Sequence, residues 1–296
     1  MTEVATLAVG HAATRADVTV IPLTADVEGP RPGWHHAEVL DHRPVGKRYR
    51  HLRLRAPHVA STARPGQFVM LTAARPGERG PVLPRPMAVY RRIPEEGSIE
   101  IVYGVVGSGT RQLSTFRRGE RMLTVGPLGR GFHLDPAARR VLLVGRGIGT
   151  CSLTTVAEEL AGTGTDVLAV TSGRDELHLV GGNRYRQLGA VTVHEVTDSA
   201  GDSSVDALRG WLTSELDADP PQQIMTCGSE RLVRLCASLG ERWSADVQVS
   251  LEAHMACGLG YCHGCASGIR GGSAESPLIC KDGPVFRLLG RKESRI

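Results

Sequence analysis

Four of the chain's seven cysteines fall in one short stretch near its C-terminus: Cys257, Cys262, Cys265 and Cys280. Their spacing is C-x4-C-x2-C, with the fourth after fourteen further residues. This is the plant-type spacing for a [2Fe–2S] cluster, where one tight loop supplies three thiolates and a neighbouring segment closes the far iron. Such a loop must turn sharply with its amide N–H groups toward the sulfurs. Gly258, Gly260 and Gly264 give it that freedom. A structural zinc site usually shows two C-x2-C pairs, or one pair with two histidines. Here a single close pair stands beside His254 and His263, which keeps zinc as an alternative. Disulfides need an oxidising compartment, and the N-terminus lacks the basic-then-apolar pattern of a signal peptide. The spacing and its glycines favour the cluster, in a cytoplasmic protein.

A length of 296 residues suits two domains and a small appendage. No run approaches the roughly 18 apolar residues of a membrane span, so none is expected. The net charge of +4 comes mostly from arginine scattered along the chain, and aromatics make up only 4%. A nucleic-acid face would want clustered basic residues interleaved with aromatics. Nucleic-acid binding is therefore not expected.

The hydrophobic pattern changes twice along the chain. Residues 1–33 carry little periodicity and end in a turn-rich EGPRPG: an arm, an added barrel strand, or a partner-binding tail. Residues 34–136 hold six short β-rich runs, several alternating apolar with polar, separated by Pro and Gly. Runs of this kind predict an antiparallel β-barrel, broken by one helix near 108–116. Over 137–245, continuous apolar strands alternate with helical segments, which predicts an α/β domain with a parallel sheet. Residues 246–296 form the cysteine-bearing domain. The fold class expected is multidomain α+β, with a β-barrel, a parallel-sheet α/β domain and a small [2Fe–2S] domain.

Candidate ligand residues lie at the ends of these runs. Gly145, Gly147 and Gly149 follow the strand VLLV and precede a helix carrying Leu153, Val156, Ala157 and Leu160 on one face. Such a turn can seat a pyrophosphate on free N–H groups. The spacing is G-x-G-x-G, not the dinucleotide fingerprint, and leaves NAD against NADP open. Arg85 opens the run RPMAV and could clamp a phosphate bidentately. Gly107, Ser108, Gly109 and Thr110 form a second glycine turn into a helix. Cys227 and Gly228 end an apolar strand, where open α/β sheets bind ligands. Cys151 and Cys236 fit structural roles. No nucleophile–base–acid set stands out, so the chemistry is expected to belong to cofactors.

With these residues in view, about 37–286 resembles the electron-transfer subunit of bacterial dihydroorotate dehydrogenase, among the ferredoxin-reductase-like flavoproteins. The resemblance rests on RPMAV and VVGSGT, on LLVGRGIG, and on MACGLGYCHGC with CKDGPVF. It implies FAD on the barrel, held by Arg85, Pro86, Met87, Ala88, Val89 and Tyr103, with Gly107 to Thr110 completing the site. It implies NAD(H) at Gly145, Gly147 and Gly149, with Cys227 and Gly228 near the nicotinamide, and a cluster on the four cysteines. Electrons would pass between NAD(H) and an FMN-containing dihydroorotate dehydrogenase subunit in a hetero-oligomer. A different biosynthetic reductase or oxygenase as partner, or a zinc-binding redox regulator, are the alternatives. Three blocks depart from the family pattern. Ala88 stands where Ser is usual, Arg146 sits inside a turn that normally runs into prolines, and VTDSAGDSS keeps only part of an expected segment.

Overall fold

The computed structural model describes residues 19–23, 31–46, 48–268 and 275–289. Its strands form two seven-stranded sheets. Strand β1 (Thr19–Pro22) lies at the edge of the second sheet, while β2 (Gly33–Val45), β3 (Tyr49–Arg55), β4 (Phe68–Leu71), β5 (Arg85–Ala88), β6 (Arg91–Ile93), β7 (Ser98–Gly104) and β8 (Arg121–Leu128) make the first. The first is antiparallel throughout, in the order β5-β4-β8-β2-β3-β7-β6. Alternation builds it: on β3, Leu52 and Leu54 are buried while Arg53 and Arg55 bond outward to Ser98 and Glu38. Inside lie Val39, Val69, Leu71, Ile99, Ile101 and Met122.

This sheet curls into the expected barrel, with its ladder open between the edge strands β5 and β6. The chain itself bridges the seam. Val89 donates its N–H to the carbonyl of Gln67, just before β4 (3.1 Å), and Tyr90 donates to the Glu100 carbonyl of β7 (2.9 Å), on the other side of the seam. The run RPMAVYRR therefore divides into β5 and β6. Helix α1 (Pro57–Thr62) covers one end, and α2 (Ser108–Leu113) is the helical interruption expected between β7 and β8.

The second sheet holds β9 (Arg140–Arg146), β10 (Asp166–Gly173), β11 (Val191–Thr197), β12 (Gln223–Cys227) and β13 (Asp246–Ser250), parallel in the order β13-β12-β9-β10-β11. Residues 141–144 and all of β12 are buried, as strands covered on both faces must be. Helices α3 (Thr154–Leu160), α4 (Gly182–Leu188), α5 (Val205–Leu216) and α6 (Glu230–Trp243) accompany it. The strand order reverses between β9 and β12, and crevices at such a switch point, outside the carboxyl ends, are where open sheets bind ligands.

Strand β14 (Val285–Leu289) runs antiparallel on β13, and β1 runs antiparallel on β14. The N-terminal segment thus adds a strand to the second sheet rather than to the barrel; residues 1–18 and 24–30 lie outside the described residues. The cysteine segment is an excursion between β13 and β14, two strands of that same sheet. One hydrophobic core joins all three parts: Phe68, Met70, Val125 and Leu128 from the barrel, Leu142 and Ile224 from the sheet, and Met255, Leu278 and Ile279 from the excursion. No helix among the described residues is long and apolar enough to cross a membrane.

Candidate functional site

Barrel, sheet and cysteine excursion meet around a cavity of about 410 Å³. Pro86, Met87 and Ala88 of β5 line it from the barrel, with Tyr103 and Gly104 from the end of β7. Ile148, Gly149 and Cys151 face it from the turn after β9, and Cys227 from the end of β12. Leu251, Glu252, Ala253 and Met255 close it on the cysteine side. Burial pushes the Cys227 thiol up to about 12, with the Glu252 carboxyl adding to the shift. Cys151 is driven higher still by burial and by Cys227, so both are neutral packing groups. Val89, expected in the site, is instead buried in the barrel core.

Arg85 and the second glycine turn come together as the sequence anticipates. A Cβ on Gly109 would fall 2.0 Å from Arg85 Nε and 2.1 Å from Nη2. The guanidinium therefore lies flat against the start of α2, which only a glycine permits. It donates through Nη1 to the Leu83 carbonyl (2.7 Å). The Thr110 hydroxyl accepts from the N–H groups of Val106 (2.9 Å) and Gly107 (3.0 Å) and so fixes the turn. Ser108 is exposed, and the first N–H groups of a helix have no partner within it. A guanidinium beside unpaired N–H groups can hold a phosphate.

The turn after β9 winds as a 3-10 segment, Gly147–Ser152, before α3 begins. Gly149 packs on Gly228, where an added Cβ would lie 2.7 Å from the Gly228 Cα. Gly145 packs in the same way on Thr150, while Gly147 has only the Tyr49 hydroxyl near it. Arg146, the unusual residue of this turn, reaches across the sheet end to Ser172 Oγ (2.8 Å) and to Asp198 Oδ2 (2.6 Å). Arg231 of α6 reaches the same carboxylate (2.8 Å). Hydrogen bonds from Arg146, Ser203 and Arg231 outweigh desolvation and hold Asp198 well below the usual carboxylate range.

The four cysteines form two pairs, Cys257 with Cys262 and Cys265 with Cys280. A turn at 278–282 brings Cys280 in. Leu278 bridges to Ala266, Ile279 donates to the Cys265 carbonyl (3.1 Å), and the Asp282 carboxylate accepts from the Leu278 N–H (2.7 Å). N–H groups already point at sulfur: Leu259 to Cys257 Sγ (3.3 Å) and Cys280 to Cys265 Sγ (3.4 Å). Burial would raise the Cys257 thiol, but the N–H groups of Leu259, Cys262 and Tyr261 and the Cys262 thiol bring it down to about 6. Cys280 goes the other way, pushed up to about 12 by burial and by Cys265. Two thiol pairs on one loop and one turn, supplied with N–H donors, fit a two-iron cluster. Gly258 and Gly260 take left-handed conformations as expected. Gly264 does not; the third left-handed residue is His263.

Glu252, Met255, Tyr49 and Ile148 line the cavity without having been singled out in the sequence. Glu252 carried a usable signal, since it stands two residues past the carboxyl end of β13, where sheet ligands gather.

Comparison with known proteins fits this geometry. Residues 252–288 match the iron–sulfur cluster binding domain of dihydroorotate dehydrogenase B. The electron transfer subunit of dihydroorotate dehydrogenase B (NAD(+)) from Geobacillus thermodenitrificans is 31% identical over 260 residues, spanning 86% of this chain and 97% of its own length. The chain belongs to the family of dihydroorotate dehydrogenase B electron transfer subunits. The Listeria monocytogenes member is 32% identical over 231 residues, spanning 75% of this chain and 85% of its own. Among solved structures, an NADH-dependent reduced ferredoxin–NADP oxidoreductase, studied for flavin-based electron bifurcation, superposes with a TM-score of 0.69 at 26% identity. That match covers 86% of this chain and 88% of the other. A cytochrome P450 reductase from Amycolatopsis, at 20% identity and a TM-score of 0.56, shares the fold over 74% of this chain and 69% of its own. As a member of this family the chain is an electron-transfer oxidoreductase subunit, with FAD and a [2Fe–2S] cluster as its cofactors.

Proposed function

We propose that this subunit passes electrons between NAD(H) and an FMN-containing, dihydroorotate-oxidising catalytic subunit in a hetero-oligomer, by way of its FAD and its cluster. The carrying observation is that β5, the turn after β9, Cys227 and the approach to the cysteine loop all line one cavity. A flavin ring held in that cavity would supply the chemistry that links hydride exchange with a nicotinamide to single-electron exchange with the cluster. Arg85, with the turn Gly107 to Thr110, holds the FAD phosphates; Pro86, Met87, Ala88 and Tyr103 wall the ring. Gly147 and Gly149 present backbone to the nucleotide, and Cys227 with Gly228 shapes its nicotinamide end. Cys257, Cys262, Cys265 and Cys280 ligate the irons, two cysteines to each. The cytoplasm is the compartment proposed, because ligation of iron by Cys257, Cys262, Cys265 and Cys280 needs reduced thiols, which persist in reducing surroundings.

An anaerobic visible spectrum, titrated with NADH and then NADPH, tests this reading. Flavin bands with a reddish iron–sulfur shoulder, bleached by NADH and restored by catalytic subunit plus orotate, are the expected result. A flavin bleached by NADPH alone overturns the nucleotide assignment. A colourless protein with stoichiometric zinc overturns the cofactor assignment.

A further inference from the structure

Electrons enter and leave the cavity in two different currencies. A hydride brings two electrons and one proton together, whereas the cluster carries electrons singly and no proton. Two electrons arriving through the cluster must therefore be joined by one proton before a hydride can leave, in the balance NAD⁺ + 2e⁻ + H⁺ → NADH. Some group in the cavity has to supply that proton and recover it from solvent.

The cavity wall narrows the choice. Its titratable or charged side chains are Arg48, Tyr49, Tyr103, Cys151, Cys227 and Glu252. An arginine keeps its proton throughout the neutral range. Burial pushes both tyrosines and both cysteines above their ordinary values, with Cys227 up to about 12. The Tyr103 hydroxyl is further engaged with His42 Nε2 (2.9 Å). Glu252 stands apart. It takes part in no hydrogen bond or ion pair identified among the described residues, and it lines the cavity while keeping partial accessibility. Enough protein surrounds it that desolvation raises its carboxyl above the usual carboxylate range. It also stands five residues before Cys257, on the strand of chain that leads from the sheet into the cluster loop.

We propose that Glu252 is the proton-exchanging residue of the cavity, joining one proton to each electron pair that arrives through the cluster and taking it back when electrons leave that way. In the forward direction the Glu252 O–H bond breaks, its proton goes to the flavin ring as the electron pair is completed, and the resulting carboxylate is reprotonated from water. In reverse, NADH delivers the hydride, the pair departs singly to the cluster, and the left-over proton returns to the carboxylate. Hydride transfer itself asks nothing of Glu252. The inference rests on the reading that the cavity seats the flavin ring.

The test uses the full chain loaded with FAD and cluster. Spectroelectrochemistry gives the flavin midpoint potential against pH for wild type, Glu252→Gln and Glu252→Asp. A wild-type plot with a break above the usual carboxylate range, lost in Glu252→Gln and displaced in Glu252→Asp, is the expected result. Stopped-flow mixing with NADH should then show cluster reduction slowed about tenfold or more in Glu252→Gln, without the solvent isotope effect of wild type. The bleaching step should keep its isotope effect with deuterated NADH. A Glu252→Gln protein whose break and solvent isotope effect match wild type overturns the proposal. Should Glu252→Gln purify without flavin, the Asp variant carries the same two readouts. A wild-type protein without bound flavin would instead defeat the seating on which the proposal rests.

Discussion

Two glycine-rich turns run from a strand into a short helix, and the sequence offers both as phosphate seats. The structure uses their glycines in two ways. In the turn Gly107–Thr110, Gly109 is forced by contact with Arg85, whereas a Cβ on Gly107 would meet nothing within 4 Å. In the turn after β9, Gly149 is forced by the backbone of Gly228 and Gly145 by Thr150, while Gly147 meets little but is held to glycine by its left-handed backbone, φ +52°. Each turn thus pairs packing glycines with one that meets little, and only Gly107 is free in its backbone as well. They differ in what the packing glycine touches: the flexible end of the Arg85 side chain in one, rigid backbone of a neighbouring strand end in the other. A glycine-rich pattern therefore mixes residues kept for the fold with residues kept for the ligand, and substitution should separate them.

The largest effect belongs to Gly149→Ala. The new methyl would meet Gly228 Cα at 2.7 Å, Gly228 N at 2.8 Å and the Cys227 carbonyl carbon at 2.9 Å, none of which can rotate away. Overpacking of this kind costs about 1–3 kcal/mol. The melting temperature should fall, and NADH should no longer bleach the flavin because the ends of β9 and β12 move apart. A variant that melts like wild type would show that the two strand ends are free to separate, and the contrast between the turns would vanish.

Gly109→Ala comes next and should behave differently. Its methyl would overlap only the Arg85 guanidinium, the far end of a long side chain, which can swing aside. The fold should persist while the phosphate loses its guanidinium. A hydrogen bond to a charged group contributes about 1.5–3 kcal/mol, so FAD affinity should drop roughly ten- to a hundredfold. Flavin fluorescence on dilution measures it. Unchanged affinity would mean that Arg85 holds no phosphate.

These contrasts also mark how far the sequence could be read. The cysteine spacing, the alternating barrel runs and the buried runs of β9, β10 and β12 are local patterns, and each appears in the structure where the pattern lies. What escaped depends on distant partners. The run RPMAVYRR looks like one strand, but it divides because Val89 and Tyr90 bond to opposite sides of the barrel seam, at Gln67 and at Glu100 of β7. The edge strand β1 is defined only by β14, far along the chain. The glycine pattern offers conformational freedom at Gly264, whereas the left-handed residue is its neighbour His263, since spacing locates a tight loop but not the residue that reverses it. Glu252 has no motif around it, and its place two residues past the end of β13 becomes specific only with the cavity.

Arg146→Gly should have a smaller effect, and one that depends on pH. Asp198 is depressed in the folded state by Arg146, Ser203 and Arg231. A depressed carboxylate contributes stability that is present above its unfolded value, about 3.9, and lost as pH falls through the folded value. Removing Arg146 lets Asp198 rise toward its ordinary value. The variant should be less stable than wild type at pH 6, and the difference should close in strong acid, where both are protonated. Because the Asp198 side chain is 38% exposed, solvent screening keeps the loss below about 1 kcal/mol. Thermal melts from pH 7 down to well below the unfolded value of about 3.9 measure it. A gap that widens toward acid would mean that Arg146 acts through something other than Asp198.

Gly107→Ala is the most delicate discriminator, because on stability it should do almost nothing. Its backbone is extended, a conformation any residue adopts, and its added methyl would stand in open space. Thr110 would still accept from the Val106 and Gly107 N–H groups, so the turn keeps its shape. A surface change away from packed features usually stays within about 0.5 kcal/mol. Any loss of FAD affinity must then come from the methyl occupying space that the ligand needs, not from a damaged turn. An unchanged melting temperature with weaker FAD binding would make Gly107 the ligand-facing member of its turn and Gly109 the packing member. Unchanged binding would place the phosphate elsewhere and leave Arg85 without the partner turn assigned to it.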